Sequence, residues 1–89
     1  MIEVIRFGAE WCQPCKRYTP QLEKWVNDKS NINLVLIDIE QEPTQAQNYG
    51  VMSVPYTVFK SAHRTVGIKG ALTTKQLDKV LATINEENV

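Results

Sequence analysis

Apolar side chains recur along this chain at two spacings, and the switch between them locates its elements. Ile2 to Phe7 carries β-branched and aromatic residues and meets Gly8, which predicts a short strand. Arg6 makes that run less apolar than a strand buried on both faces usually is. From Cys12 the spacing lengthens: Cys15, Tyr18, Leu22, Trp25 and Val26 recur every three to four positions, one face of an amphipathic helix. Pro14 suits its first turn, where an N–H has no intrahelical partner to lose. Pro20, inside the helix, is expected to kink it. Asn27 to Asn31 is a polar break. Ile32, Leu34, Val35, Leu36, Ile37 and Ile39 then predict a second strand, apolar enough for burial on both faces.

Strand, helix, strand over this length reads as a right-handed βαβ unit with parallel strands. Pro43 suits the start of a short helix that Gly50 ends. Val54 to Phe59 is a third strand, entered through Pro55. Ser61-Ala62 connects it to Thr65 to Ile68, a hairpin partner whose end Gly67 and Gly70 bracket. Thr73-Thr74-Lys75-Gln76 has the form of a capping box, and Leu77, Val80, Leu81 and Ile84 line a closing helix. Asn85 to Val89 is expected to fray. With no repeat and no linker, residues 1–89 form one expected domain, an α/β layer structure in the order β-α-β-α-β-β-α.

Composition narrows the function classes. Ten basic and ten acidic side chains cancel, which removes the electrostatic footprint of a nucleic-acid binder. No apolar run approaches a membrane span. Residues Met1 to Phe7 are too short and too interrupted for a signal-peptide core, so a reducing, cytoplasmic setting is expected. The chain's two cysteines, Cys12 and Cys15, close too small a loop to staple a fold. In that setting such a pair is catalytic or metal-binding.

The pair stands where the first strand hands over to the first helix. A thiolate is the nucleophile of disulfide exchange, and unpaired N–H groups at a helix N-terminus favour its charge. Cys12 is thus expected to be the exposed attacking thiol, with a pKa below that of a free thiol. Cys15, one turn in on the apolar face, is the expected buried, resolving thiol. Pro14 limits backbone freedom between them. Two other readings stand beside this one. The cysteines could be incidental core residues, or half of a zinc site. The zinc reading needs two more soft ligands where only His63 remains, so it works only across a dimer.

Ala9-Glu10-Trp11-Cys12-Gln13-Pro14-Cys15-Lys16 resembles the active-site segment of thioredoxins, with Gln13 where the family usually has glycine. Pro20, Tyr49-Gly50-Val51, Ser53-Val54-Pro55-Tyr56-Thr57, Phe59-Lys60 and Gly70-Ala71-Leu72 resemble later landmarks, so the likeness covers nearly the whole chain. The resemblance implies a minimal thioredoxin fold, a four-stranded mixed sheet flanked by helices, lacking the family's first strand and helix. In that compactness it is similar to glutaredoxins and to small phage and archaeal thioredoxin-like proteins.

It further implies that Pro55 is a cis-proline opposite the disulfide and that the Val54 backbone pairs with an extended substrate segment. Trp11, Gln13, Pro14, Lys69, Gly70 and Ala71 are expected to line a shallow groove around Cys12. Trp25, Tyr18 and Phe59 belong to the core, and His63 to an exposed connection. The implied activity is reduction of protein disulfides, with no cofactor beyond the Cys12–Cys15 disulfide. The expected partners are disulfide-containing proteins and a reductant, either thioredoxin reductase or glutathione. No feature asks for more than a monomer.

Two departures stand out. Arg6 occupies the place of the family's buried aspartate, and Leu36 that of its lysine partner. A cation there favours thiolates, so the couple is expected to be more oxidising than a typical thioredoxin. Arg6 is expected to reach solvent or a carboxylate, Asp38 on the neighbouring strand being the candidate. Gly8 replaces a family tryptophan, which predicts looser packing beneath the site. Lys69-Gly70-Ala71-Leu72-Thr73 lacks the double glycine and acid of glutaredoxins, which favours the thioredoxin reading over a glutathione-recharged one. A non-catalytic binding module is the reading from another class.

Overall fold

A computed structural model describes residues 1–87. Its elements are β1 (Ile2–Gly8), α1 (Gln13–Asn27), β2 (Ile32–Asp38), α2 (Pro43–Asn48), β3 (Tyr56–Lys60), β4 (Thr65–Lys69) and α3 (Thr74–Glu87). The four strands make one mixed sheet in the order β2-β1-β3-β4. β1 runs parallel to β2 and antiparallel to β3, and β3 runs antiparallel to β4. The α-carbon radius of gyration is 12.4 Å, in line with the ~12 Å that chain length alone implies.

Strand alternation divides the core between two faces. On one, Val4, Leu22, Trp25, Phe59, Leu77 and Ile84 pack beneath α1 and α3. On the other, Ile5, Phe7, Ile37 and Val58 pack around Ala46 of α2. Trp25 links the layers: its ring meets Phe59 edge-on, and its Nε1–H donates to Asp78 Oδ1 of α3 at 2.8 Å. At the start of α3 the Thr73 N–H donates to Gln76 Oε1 and the Gln76 N–H to Thr73 Oγ1, a reciprocal capping box. Gly50, just past α2, has φ +68°, a conformation that favours glycine.

Three expectations change. β2 is not buried on both faces: it is an edge strand, Ile37 is its single buried residue, and Leu36 is 43% exposed. β2 is the outer strand of the order β2-β1-β3-β4, so an apolar run that reads as interior lies at the rim. β3 begins at Tyr56 rather than Val54, because Pro55 has no N–H for a ladder. α3 continues through Glu87 where the sequence suggests fraying from Asn85, and the rest of that stretch, residues 88–89, lies outside the described residues. α1 stays one helix through Pro20.

Candidate active site

The β1–α1 junction places both sulfurs. β1 ends at Gly8, and the Cys12 N–H donates to the Ala9 carbonyl at 3.1 Å, turning the chain into the helix. Cys12 is the N-cap of α1 with extended backbone (φ −88°, ψ 101°), and its Sγ accepts the Cys15 N–H at 3.2 Å. A sulfur thus occupies the place where a capping oxygen usually satisfies an orphan helix donor. Cys12 and Cys15 form a disulfide, their α-carbons 5.3 Å apart. Pro14 lies in the first turn, where its missing N–H leaves no acceptor unpaired.

Burial corrects one expectation. Cys12 is only 4% exposed and Cys15 1%, so the order is as expected but Cys12 is not an open thiol. Ala9, Ile39 and Val54 pack around the disulfide and cover it. The Val54–Pro55 peptide bond is cis. The Pro55 carbonyl accepts the Gly70 N–H at 2.9 Å, which joins the Lys69-Gly70-Ala71 segment to the proline loop. Gln13, Pro14, Lys69, Gly70 and Ala71 are exposed, and Val54 is half-buried. Trp11 is 62% exposed, and its indole N–H donates to Glu40 Oε1 at 2.7 Å. His63 lies exposed in the β3–β4 connection.

Beneath the disulfide, one row of the sheet runs Leu36, Arg6, Thr57 across β2, β1 and β3. Above it, α1 presents two successive hydroxyls. Tyr18 Oη and Thr57 Oγ1 hydrogen-bond at 2.8 Å, and Arg6 Nη1–H donates to Thr19 Oγ1 at 2.7 Å. Thr19 Oγ1 in turn donates to the Cys15 carbonyl at 2.7 Å. Burial pushes the Tyr18 phenol above its ordinary value, against the pull of the Thr57 bond, a Leu72 backbone bond and the Arg6 charge. Burial lowers the Arg6 pKa, while Asp38, Glu23 and Tyr18 raise it.

Arg6 therefore differs from expectation in its direct partner, which is Thr19 and not Asp38. The Asp38 carboxylate accepts the Glu40 and Gln41 N–H groups at 2.8 and 3.3 Å, an engagement that holds it at the strand end. The packing beneath the site is not loosened at Gly8 either. Gly8 is buried, and the Arg6 guanidinium lies where a larger side chain would stand.

Two residues of the site escaped the sequence reading. Glu40 has no motif to mark it; only the fold carries it to Trp11. Met52, 97% exposed and two positions before Val54, adds apolar surface to the proline loop. No motif marks Met52 in the sequence either, because its exposure is set by the fold.

A family model described as Thioredoxin matches residues 2–83. A thioredoxin of Chlamydia trachomatis is 37% identical over 70 residues, covering 74% of this chain and 69% of the relative. The thioredoxin of Chlamydia caviae is 34% identical across 96% of this chain and 81% of its own length. Among solved structures, mitochondrial thioredoxin 3 of Saccharomyces cerevisiae in its oxidised form superposes with a TM-score of 0.82 at 29% identity, over 92% of this chain and 77% of that one.

Proposed function

We propose that Cys12 attacks and Cys15 resolves in this chain, which belongs to the thioredoxin family and is a thiol–disulfide oxidoreductase reducing protein disulfides. The observation that carries the assignment is the Cys15 N–H donating to Cys12 Sγ at the helix N-terminus. The same donor, with the field of the helix end, favours a thiolate at Cys12 once the disulfide is reduced. The Cys12 thiolate attacks a substrate disulfide, forming a mixed disulfide and releasing one substrate thiolate. Cys15 then attacks Cys12 Sγ, the enzyme disulfide forms again, and the second substrate thiolate leaves.

Ala9 and Val54 pack against the disulfide, which supports a substrate that approaches as an extended segment along the Val54 backbone. Added as a strand, such a segment is held by main-chain hydrogen bonds and is read by shape. Trp11, Gln13, Pro14, Lys69, Gly70 and Ala71 form its surroundings in this reading, with Pro55 setting the loop opposite the sulfurs. Thioredoxin reductase is the proposed electron donor, supported by the single glycine and missing acid at Lys69-Gly70-Ala71. The setting proposed is a reducing cytoplasm, where a cysteine pair this close serves exchange rather than stability. Insulin reduction tests the whole reading. Wild type should turn over with reductase and NADPH, and Cys15→Ser should stall as a mixed disulfide. Turnover with glutathione alone would make the chain glutaredoxin-like, and binding without turnover would make it a binding module.

A further inference from the structure

Arg6, Thr19 and Cys15 form a hydrogen-bonded chain whose direction is fixed by chemistry. A guanidinium only donates, so Thr19 Oγ1 must accept from Arg6 at 2.7 Å. The one hydroxyl proton is then free only for the Cys15 carbonyl, also at 2.7 Å. Arg6 Nε is buried with no hydrogen-bond partner among the described residues. A cation held this way, at the cost of a buried unpaired N–H, has its position fixed by the Thr19 bond.

The space around it is shared with the resolving cysteine. A cavity of about 360 Å³ is lined by Arg6, Cys15, Thr19, Lys16, Asp38 and Glu10. Among the described residues, the charged groups that line it with Cys15 are Arg6 from β1, Lys16 from α1, Asp38 from the end of β2 and Glu10 from the loop. Neither acid is bonded to Cys15. Asp38 Oδ1 is taken by two backbone N–H groups, and Glu10 is exposed.

We propose that Arg6 is a positioning residue that keeps the Cys15 thiol acidic in the reduced enzyme, acting through Thr19 and across the cavity it shares with Cys15. Resting on the exchange cycle assigned above, the step runs as follows. The Cys15 thiol releases its proton to cavity water, and the nearby positive charge stabilises the thiolate left behind. That thiolate forms a bond to Cys12 Sγ while the bond from Cys12 to substrate sulfur breaks. The substrate sulfur leaves as a thiolate and takes a proton from water, so two electrons pass from the enzyme dithiol to the substrate disulfide. No carboxylate has to accept the proton, because a fixed charge lowers the cost of losing it.

The test isolates Cys15. In reduced Cys12→Ser protein it is the single thiol, and its ultraviolet thiolate absorbance is followed against pH. Adding Arg6→Met should make the thiol about tenfold less acidic, the lower end of what a neighbouring charge produces. Thr19→Val should weaken it in the same direction by less, and Arg6→Lys should recover most of the acidity. Asp38→Asn, which removes a negative charge from the cavity, should make Cys15 more acidic. In the enzyme with both cysteines, Arg6→Met should move the equilibrium with glutathione toward a less oxidising couple, by up to the same factor and more at alkaline than at neutral pH.

Unchanged titrations in Arg6→Met and Thr19→Val overturn the proposal. So does an equal loss in Arg6→Lys and Arg6→Met, which marks a structural role. Should Arg6→Met fail to fold, Thr19→Val decides. The titration needs no turnover, so a wild type inert toward insulin would sink the exchange cycle while leaving this result readable.

Discussion

The Arg6 guanidinium lies directly over Gly8, two residues along the same strand: a Cβ built on Gly8 would stand 2.8 Å from Arg6 Cζ. The two positions are therefore one unit, because the bare backbone of Gly8 is the floor on which the charge rests. In a family that places a large ring at the second position, the ring and this arginine could not occupy the same space. Gly8→Ala should push the guanidinium aside, since the end of a flexible side chain yields before the sheet does. Losing the Arg6–Thr19 bond costs about 1 kcal/mol, roughly 4–8 °C in melting temperature for a domain of this size. Cys15 acidity should fall with it. In the double variant Gly8→Ala/Arg6→Ala the loss should be smaller than the sum of the two single losses.

Tyr18→Phe leaves the hydroxyl of fully buried Thr57 without its phenol partner. A deficit of about 1–3 kcal/mol is expected in urea unfolding, and Tyr18→Phe/Thr57→Val should recover part of it.

The same phenol sets an alkaline signature. Its folded pKa lies above the ordinary value of 10.0, so the native state holds the proton more tightly than the unfolded chain. That stabilisation is complete below about pH 10 and is lost as pH rises through the folded value. The difference in unfolding free energy between wild type and Tyr18→Phe should stay flat up to about pH 10 and shrink above it. A difference that grows with alkali would contradict the assignment.

Glu40→Ala frees the Trp11 indole without opening the core. Stability should hardly change, since the bond lies at the surface. Tryptophan emission should shift, and KM for a protein disulfide should rise with little change in kcat if Trp11 shapes the groove.

Leu22→Ala removes a fully buried side chain from beneath α1. A loss of about 2–5 kcal/mol is expected, with the glutathione equilibrium of the folded protein unchanged. A shift in that equilibrium would mean that packing, and not local charge, sets the couple.

Much of this architecture was legible in the residues. The three-to-four spacing from Cys15 to Val26 marked α1, and the Thr73/Gln76 pair marked the start of α3, because both signals are local. Edge position was not legible at β2: Ile32 to Ile37 has the composition of an interior strand, and only the sheet order exposes it. The partner of Arg6 was missed for a related reason. A charge on a strand suggests a carboxylate on the next strand, yet the hydroxyl that meets it comes from the helix above. Glu40 and Trp11 stand 29 positions apart, and no spacing rule connects them. The burial of Cys12 follows from Val54 and Ile39, which reach it only after the chain has crossed the sheet.

Tyr18 and Thr19 are consecutive, so their side chains leave α1 about 100° apart around its axis. Each is pinned to a different strand, one to Thr57 on β3 and the other to Arg6 on β1. Two anchors at different azimuths on neighbouring strands index the helix like a key in a slot. A roll by one residue breaks both, and a slide along the axis strains both. The sulfurs at its tip therefore keep a constant bearing whether or not a bond joins them, and reduction can proceed without the helix having to find its place again.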